Sequence, residues 1–351
     1  MKTVAYAAQN AASPLAPFAF ERRALRANDV AMEILYCGVC HSDLHMARND
    51  WDWSVYPLVP GHEIIGRVTD VGTDVTKFKT GDHVAVGCMV DSCQHCDQCH
   101  NGEEQFCREG MTLTYGSPDR IDGAITHGGY SKHLVAREEF VLRVPDGLDL
   151  SRVAPLLCAG ITTYSPLRTW GVGPGSRVAV VGMGGLGHMA IKLAVGLGAH
   201  VTVISRSASK EADARELGAD AFLVSSDERA MEAAASSFDL IVDTVPVKHD
   251  LTPYTPLLDV DATLALVGQL GPVDEVQTTP LLMGRRRVAG SLIGGIKETQ
   301  EMLDFCARMN ILPECEMIQM DEINDAFERM ERSDVRYRFV IDMASLALVN
   351  D

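Results

Sequence analysis

Along the first 150 residues apolar positions gather in short β-branched runs at 31–36, 64–71 and 83–87, broken by turn signals at Gly72-Thr73 and Thr80-Gly81-Asp82. This rhythm predicts an antiparallel, barrel-like lobe. From about residue 151 it changes to strand, glycine turn and helix: strands at 177–181, 200–204 and 221–224 alternate with helices at 189–197 and 210–217. That alternation predicts a parallel sheet with crossover helices, continued by strands at 240–243 and 263–267. The tail shows helical patterns at 298–309 and 321–331 and a last strand at 338–342. It is too short to fold alone and is expected to return to the first lobe. The expected division is residues 1–150 with 293–351 in one domain and 151–292 in the other. The apolar stretch 178–199 is about long enough to span a bilayer, but its glycines, His188 and Lys192 favour the strand, turn and helix reading.

Composition narrows the partners. The 351 residues are 46% apolar and 23% charged, which is ordinary for a globular protein with two cores. With 31 basic against 48 acidic residues, the net charge of -17 repels phosphate backbones and anionic lipid surfaces, so neither nucleic acid nor a membrane is an expected partner. Met1 to Asn10 hold one lysine and no signal-peptide run, and a cytoplasmic protein with reduced cysteines is expected.

Those cysteines carry chemistry. Cys93, Cys96, Cys99 and Cys107 stand as CxxCxxCxxxxxxxC. Thiolates at such gaps converge on a tetrahedral zinc and leave no open position, the pattern of a structural site. His95 lies inside the loop, yet four thiolates already complete the tetrahedron. Cys37, Cys88, Cys306 and Cys315 have no partner pattern and are expected to be buried apolar residues.

Between the strand at 177–181 and its helix sits Gly182-Met183-Gly184-Gly185-Leu186-Gly187. A GxGxxG in a βαβ unit allows a tight turn and close approach of a pyrophosphate to the helix N-terminus. At the end of the second strand no acid is present to bind a ribose hydroxyl. Ser205, Arg206, Ser207 and Lys210 offer hydroxyls and two cations there, which suit the 2′-phosphate of NADP(H). The alternative for these residues is a solvated basic turn.

Three further segments supply ligands of the kind found in an open zinc site: Cys40 in Gly38-Val39-Cys40-His41-Ser42-Asp43, His62 in Gly61-His62-Glu63, and Cys158 in Cys158-Ala159-Gly160. With these, the four-cysteine loop and the stretches YPLVPGHE, LLCAGITTYSP, VGMGGLGH and SDVRYRFVID, the chain resembles, end to end, the zinc-dependent medium-chain alcohol dehydrogenases of the cinnamyl alcohol dehydrogenase-like branch. The resemblance implies an α/β protein with a GroES-like β-barrel catalytic domain and a Rossmann doubly wound parallel-sheet domain.

By position it also implies that Cys40, His62 and Cys158 hold a catalytic zinc, the second zinc of the chain, with Glu63 as an occasional ligand. Asp43 would fix the His62 tautomer, Ser42 would exchange a proton with the substrate oxygen, and His45 would lie further along a relay through the cofactor ribose. For Asp43 and His45, simple capping of a helix that begins near Ser42 stays open. Thr162, Leu186, Ser291 and Ile293 correspond to cofactor contacts, with ordinary packing as the alternative. Arg338 has no expected role beyond structure. The reaction implied is hydride transfer between NADP(H) and a primary alcohol or aldehyde, in a homodimer. Small side chains at Thr112 and Leu292, with Trp51-Asp52-Trp53 as one apolar wall, favour a broad aldehyde reductase over an enzyme dedicated to phenylpropanoids. Rivals are a metal-free reductase of the same superfamily and a nucleotide-binding protein without catalysis. Complete ligand segments argue against both.

Overall fold

The computed structural model describes residues 1–268, 270–274 and 276–346. The chain divides into two units, Met1–Cys158 with Gly294–Asp351, and Ala159–Ile293.

In the first unit the strand Asp29–Val39 organises a seven-stranded sheet. Its eleven residues are long enough to be shared. One edge pairs residues 29–33 with His133–Arg137 and residues 36–39 with Arg338–Asp342, while the other edge pairs with Ile64–Val71. These pairings are antiparallel, and the only parallel one in this sheet among the described residues joins Cys315–Ile318 to Arg338–Asp342. Met32, Ile34, Cys37 and Val39 of the organising strand pack with Ile323, Phe327 and Met330 of the helix Ile323–Glu331. The tail therefore shares the core of this unit. Immediately after the strand, Cys40 takes an extended conformation and caps the helix His41–Arg48, which lays Leu44 and Ala47 into the same core. The four-cysteine loop docks locally: Glu104 accepts from the amide of Ile296 at 3.0 Å, placing a carboxylate at the N-terminus of the helix Ile296–Met309.

In the second unit six parallel strands run in the order Ala221–Val224, His200–Ser205, Arg177–Val181, Phe238–Asp243, Leu258–Leu266 and Arg287–Gly290. The order reverses between Arg177–Val181 and Phe238–Asp243, and carboxyl ends of strands at such a switch point are where open α/β sheets bind ligands. The apolar stretch noted in the sequence is the strand Arg177–Val181 followed by the helix Gly185–Gly196, and no helix among the described residues is long and apolar enough to cross a membrane. That helix starts four residues before the periodicity predicts. Gly185 and Gly187 read as turn residues in sequence but form its first turn, with Gly184 as N-cap.

The segment that presents His62 is held by close backbone contact. Amides of Gly128, Gly129 and Tyr130 donate to the carbonyls of Val59, Gly61 and Pro60 at 2.8 to 2.9 Å. Arg22, buried without a carboxylate partner, ties the same loop by donating to the carbonyls of His127, Gly128 and His133 and to Ser131 Oγ, and burial pushes its pKa down to about 9. A Cβ on Gly128 would stand 2.3 Å from the Pro60 carbonyl oxygen and 2.5 Å from that of Gly61. Gly128→Ala is expected to cost about 2–3 kcal/mol in chemical denaturation. Gly173→Ala, where no atom lies within 4 Å of the new methyl, is expected to change stability by less than about 0.5 kcal/mol.

Candidate functional site

The structure brings Cys40, His62, Glu63 and Cys158 together, with one ligand atom of each within 4.8 Å of all the others. The Sγ atoms of Cys40 and Cys158 are 3.9 Å apart. Cys40 comes from the strand-to-helix junction, His62 and Glu63 from the segment leading into Ile64–Val71, and Cys158 from the end of the short turn Ala154–Leu157. All four lie in the first unit.

Partners orient Cys40, His62 and Glu63. Asp43 Oδ1 accepts from His62 Nδ1 at 3.1 Å, so the proton resides on Nδ1 and leaves Nε2 bare as a metal ligand. The same carboxylate accepts from the amides of Cys40 (2.9 Å) and Gly61 (3.0 Å) and from Tyr130 Oη (3.1 Å). Asp43 thus caps its helix and orients His62 at once; the two alternatives left open by the sequence are both realised. Glu63 is fully buried, with one oxygen taken by the Arg338 guanidinium, which also donates to the Val39 carbonyl at 2.9 Å. Burial pushes the Glu63 carboxyl up to about 7 even against that cation, while the contact reinforces the charge of Arg338.

The other Glu63 oxygen, Oε2, has no hydrogen-bond partner although it is buried. A Cβ on Gly38 would stand 1.9 Å from it, so only glycine lets the carboxylate lie there. An orphaned carboxylate oxygen beside two thiols and a bare imidazole nitrogen is a donor set that fits a zinc ion.

Ser42 Oγ is 3.7 Å from Cys40 Sγ. His45, one turn further along the helix, bonds Asp50 through Nδ1 at 2.8 Å, and its ring centroid lies 5.3 Å from that of Trp51. Trp51 packs on a cluster of Met46, Leu58 and Tyr115, and the Tyr115 ring lies 5.8 Å from that of His62. Trp53 is exposed, Thr112 is buried in a short strand, and Leu292 is exposed.

Two expectations change. Cys88 is not an isolated buried thiol: it is half-buried, contacts Cys158 and reaches the Leu157 carbonyl at 3.6 Å, adding a thiol beside the ligand set. Nothing in its sequence spacing marks this. Arg338 proves to be the counter-ion of Glu63. Its signal was a lone cation opening the apolar run Phe339-Val340-Ile341. Tyr130, a second brace of Asp43, was invisible in sequence.

Cys93, Cys96, Cys99 and Cys107 also converge within 4.8 Å. Amides of Cys93, Cys96 and Arg108 point at the sulfurs of Cys107, Cys93 and Cys96 at 3.3 to 3.5 Å. Burial pushes the Cys99 thiol up to about 12, so a cation is what this chemistry needs to draw off its proton. The cage therefore also fits zinc. His95 and Glu109 approach Cys93 but are paired with each other at 2.8 Å.

In the second unit Gly182 takes φ +90°, and a Cβ on Gly187 would stand 2.3 Å from the Gly182 carbonyl, so the turn is tight. Nothing lies within 4 Å of a Cβ on Gly184, which leaves an open cradle at the N-terminus of Gly185–Gly196, of the kind a pyrophosphate would fill. Leu186 is half-buried there. Ser205 ends the second strand, Arg206 and Ser207 are exposed, Ser207 Oγ accepts from the Ser209 amide, and Lys210 Nζ reaches back to the Met183 carbonyl at 3.5 Å. The basic turn and the glycine turn are thus joined. Thr162 is buried. The amide of Ser291 donates to the Leu266 carbonyl. Ile293 holds φ +36°, a strained conformation for a β-branched residue and of a kind that clusters at ligand sites.

Comparison with known proteins adds three findings. Residues 26–146 match the alcohol dehydrogenase GroES-like domain and residues 185–308 the zinc-binding dehydrogenase domain. The chain is 55% identical over 348 residues to NADP-dependent alcohol dehydrogenase C 1 of Mycolicibacterium smegmatis, covering 99% of each, and 53% identical over 347 residues to 8-hydroxygeraniol dehydrogenase of Catharanthus roseus, covering 98% and 96%. A cinnamyl alcohol dehydrogenase structure from Sorghum bicolor superimposes with a TM-score of 0.95 at 45% identity over the whole of both chains.

Removing one partner of a buried ion pair leaves the other charge uncompensated, so Arg338→Met is expected to cost about 3–5 kcal/mol in chemical denaturation. The double change Glu63→Gln with Arg338→Met is expected to recover most of that loss.

Proposed function

From the premise that the chain belongs to the zinc-binding alcohol dehydrogenase family, we propose that it is an NADP(H)-dependent alcohol dehydrogenase and aldehyde reductase of broad specificity, with two zinc ions per chain. The observation that carries this reading is the convergence of Cys40, His62 and Cys158 beside the unpartnered Oε2 of Glu63. A zinc ion there supplies Lewis-acid polarisation of the substrate oxygen, and the nicotinamide gives or takes the hydride.

The chain's own residues do the rest. Asp43 keeps the proton of His62 on Nδ1. Glu63, with Arg338 on Oε1, would offer its unpartnered Oε2 as a fourth donor. Ser42 Oγ, beside Cys40, exchanges a proton with the substrate oxygen. His45, whose Nδ1 is engaged by Asp50, passes that proton on from Nε2. Trp51 with Tyr115 forms an apolar wall near His62. The small side chains at Thr112 and Leu292, and the likeness to both an 8-hydroxygeraniol dehydrogenase and a cinnamyl alcohol dehydrogenase, support a range of aliphatic and aromatic aldehydes.

Gly182, Gly184, Gly185, Leu186 and Gly187 receive the pyrophosphate, Ser205, Arg206, Ser207 and Lys210 the 2′-phosphate, and Thr162, Ser291 and Ile293 the nicotinamide half. The proposed domains are residues 1–150 with 293–351, the catalytic one, and 151–292; the two units divide near these bounds, with 151–158 in the first and Ile293 in the second. A homodimer is supported by the edge strand Arg287–Gly290 and by Leu282 and Met283, 79% and 83% exposed on the helix Thr278–Gly284 before it. A reducing, cytoplasmic setting suits ten free cysteines: six belong to the two ligand sets, Cys88 stands beside one of them, Cys37 and Cys306 are buried, and Cys315 is half-buried rather than the buried residue expected.

Elemental analysis is expected to find two zinc ions per chain, falling to one in Cys158→Ala, which keeps its fold by circular dichroism and loses turnover of cinnamaldehyde and hexanal with NADPH. Full turnover in that variant would end the metal assignment. Arg206→Asp is expected to weaken NADPH by at least about tenfold in KM, the loss of a charge-assisted hydrogen bond, and to narrow the gap to NADH measured in parallel.

A further inference from the structure

Beside the four-cysteine cage stands a second group of donors that the proposed reaction does not use. One donor atom each of Cys93, His95 and Glu109 lies within 4.8 Å of the other two. Cys93 belongs to both groups. It is half-buried, as is Cys96, whereas Cys99 and Cys107 are buried, so solvent reaches the cage at its Cys93 and Cys96 edge. His95 and Glu109 stand on the Cys93 side of that edge, with 70% and 49% of their side chains exposed.

The chain turns to make this arrangement. Gln94 takes φ +61°, a left-handed conformation that folds His95 back over Cys93. There His95 Nδ1 lies 2.7 Å from the Cys93 carbonyl oxygen, which can only accept. The tautomer that satisfies this contact keeps the lone pair on Nε2, and a backbone carbonyl commonly orients a ligating histidine in this way. Nε2 faces Glu109 Oε1 at 2.8 Å. Glu109 is held from behind, since Arg120 donates to its Oε2 at 2.6 Å and to the Gly110 carbonyl at 3.0 Å. A lone pair facing a carboxylate oxygen calls for a cation. A proton would serve these two groups alone, but only a metal ion would also use the sulfur of Cys93, and a sulfur, nitrogen and oxygen set suits zinc.

We propose that Cys93, His95 and Glu109 form an open metal site, the port through which zinc enters and leaves the four-cysteine cage. This rests on the zinc reading of the cage.

The donors suit passage rather than storage. Three of them on an exposed edge, with Arg120 drawing charge from the carboxylate, hold an ion weakly. Because the sulfur is shared, an ion can trade His95 and Glu109 for Cys96, Cys99 and Cys107 without leaving Cys93. A thiolate keeps lone pairs beyond the one given to a resident ion, so Cys93 can bridge the incoming and outgoing zinc. Charge favours the second ion as well, since four thiolates around one divalent zinc leave an excess of negative charge at the cage.

The test is exchange of the resident metal. Zinc-loaded protein is incubated with an excess of isotopically enriched Zn2+, desalted at intervals, and the isotopes retained are read by mass spectrometry. The phase that persists in Cys158→Ala is that of the cage. Its wild-type rate is expected to rise with added zinc and to level off as the port fills. His95→Ala removes one donor and Glu109→Gln the charge of another. Each is expected to slow cage exchange at least about tenfold at low zinc, with the zinc content at equilibrium and the turnover of cinnamaldehyde unchanged. A pair that only staples the loop gives the opposite sign, because loosening it frees the resident ion sooner. A wild-type rate independent of added zinc, or exchange in either variant as fast as in the wild type or faster, overturns the port. Absence of zinc from the cage of the wild-type protein is a different result, which removes the reading of the cage and the port with it.

Discussion

A single buried carboxylate sets the geometry of the candidate metal site. Asp43 is fully buried, and a carboxylate in that position persists only if its oxygens are filled by donors. Four separate groups fill them: the Cys40 amide at the helix start, the Gly61 amide and His62 imidazole from the next segment, and the Tyr130 hydroxyl from a loop some seventy residues further along. Each bond draws a different stretch of chain toward one point. Because the stretches that carry Cys40 and His62 are themselves among the donors, satisfying the carboxylate and assembling the ligands are the same event. The loop around Gly128 and the buried guanidinium of Arg22 extend this logic outward, since both act on the backbone that presents Gly61 and Tyr130.

The two thiol clusters of the first unit solve different problems with similar residues. In the four-cysteine loop all ligands come from fifteen residues and backbone amides point at the sulfurs, so the site is local and closed. At the other site the candidate ligands come from positions 40, 62, 63 and 158, and the fourth donor is a carboxylate already half claimed by Arg338. A donor held by a competing cation is a weaker and more dispensable ligand than a thiolate, which suits the proposed admission of a substrate oxygen.

Much of this was legible in sequence. The strand Ile64–Val71, the strand Arg177–Val181 and the last strand Arg338–Asp342 lie where their apolar runs place them, and the cysteine spacing marks the closed cage because its ligands are close in sequence. Elements with polar residues in buried or edge positions were cut short. Leu258–Leu266 was anticipated only from residue 263, because Asp259 and Asp261 mask its beginning. The supporting shell was the least legible part. The contacts of Arg338 with Glu63, Tyr130 with Asp43 and Cys88 with Cys158 span 275, 87 and 70 residues, and no local pattern encodes a pairing made only by the folded sheet.

An acidic protein that binds a polyanionic cofactor presents a conflict of scale, and distance resolves it. The net charge of -17 acts over the whole surface, but at physiological ionic strength charges more than about 8 Å apart are largely screened. What a 2′-phosphate would meet is therefore the local set, Arg206 with Lys210 drawn back to the Met183 carbonyl, together with the amides of the glycine turn. A nucleic acid lays a phosphate every few ångströms along a long face and samples the global charge, whereas a dinucleotide samples one pocket. The same balance explains why the cations of this region are few. Two are enough where the glycine turn supplies the remaining positive potential as backbone dipoles, and further lysines would add affinity for polyanions that the rest of the surface repels.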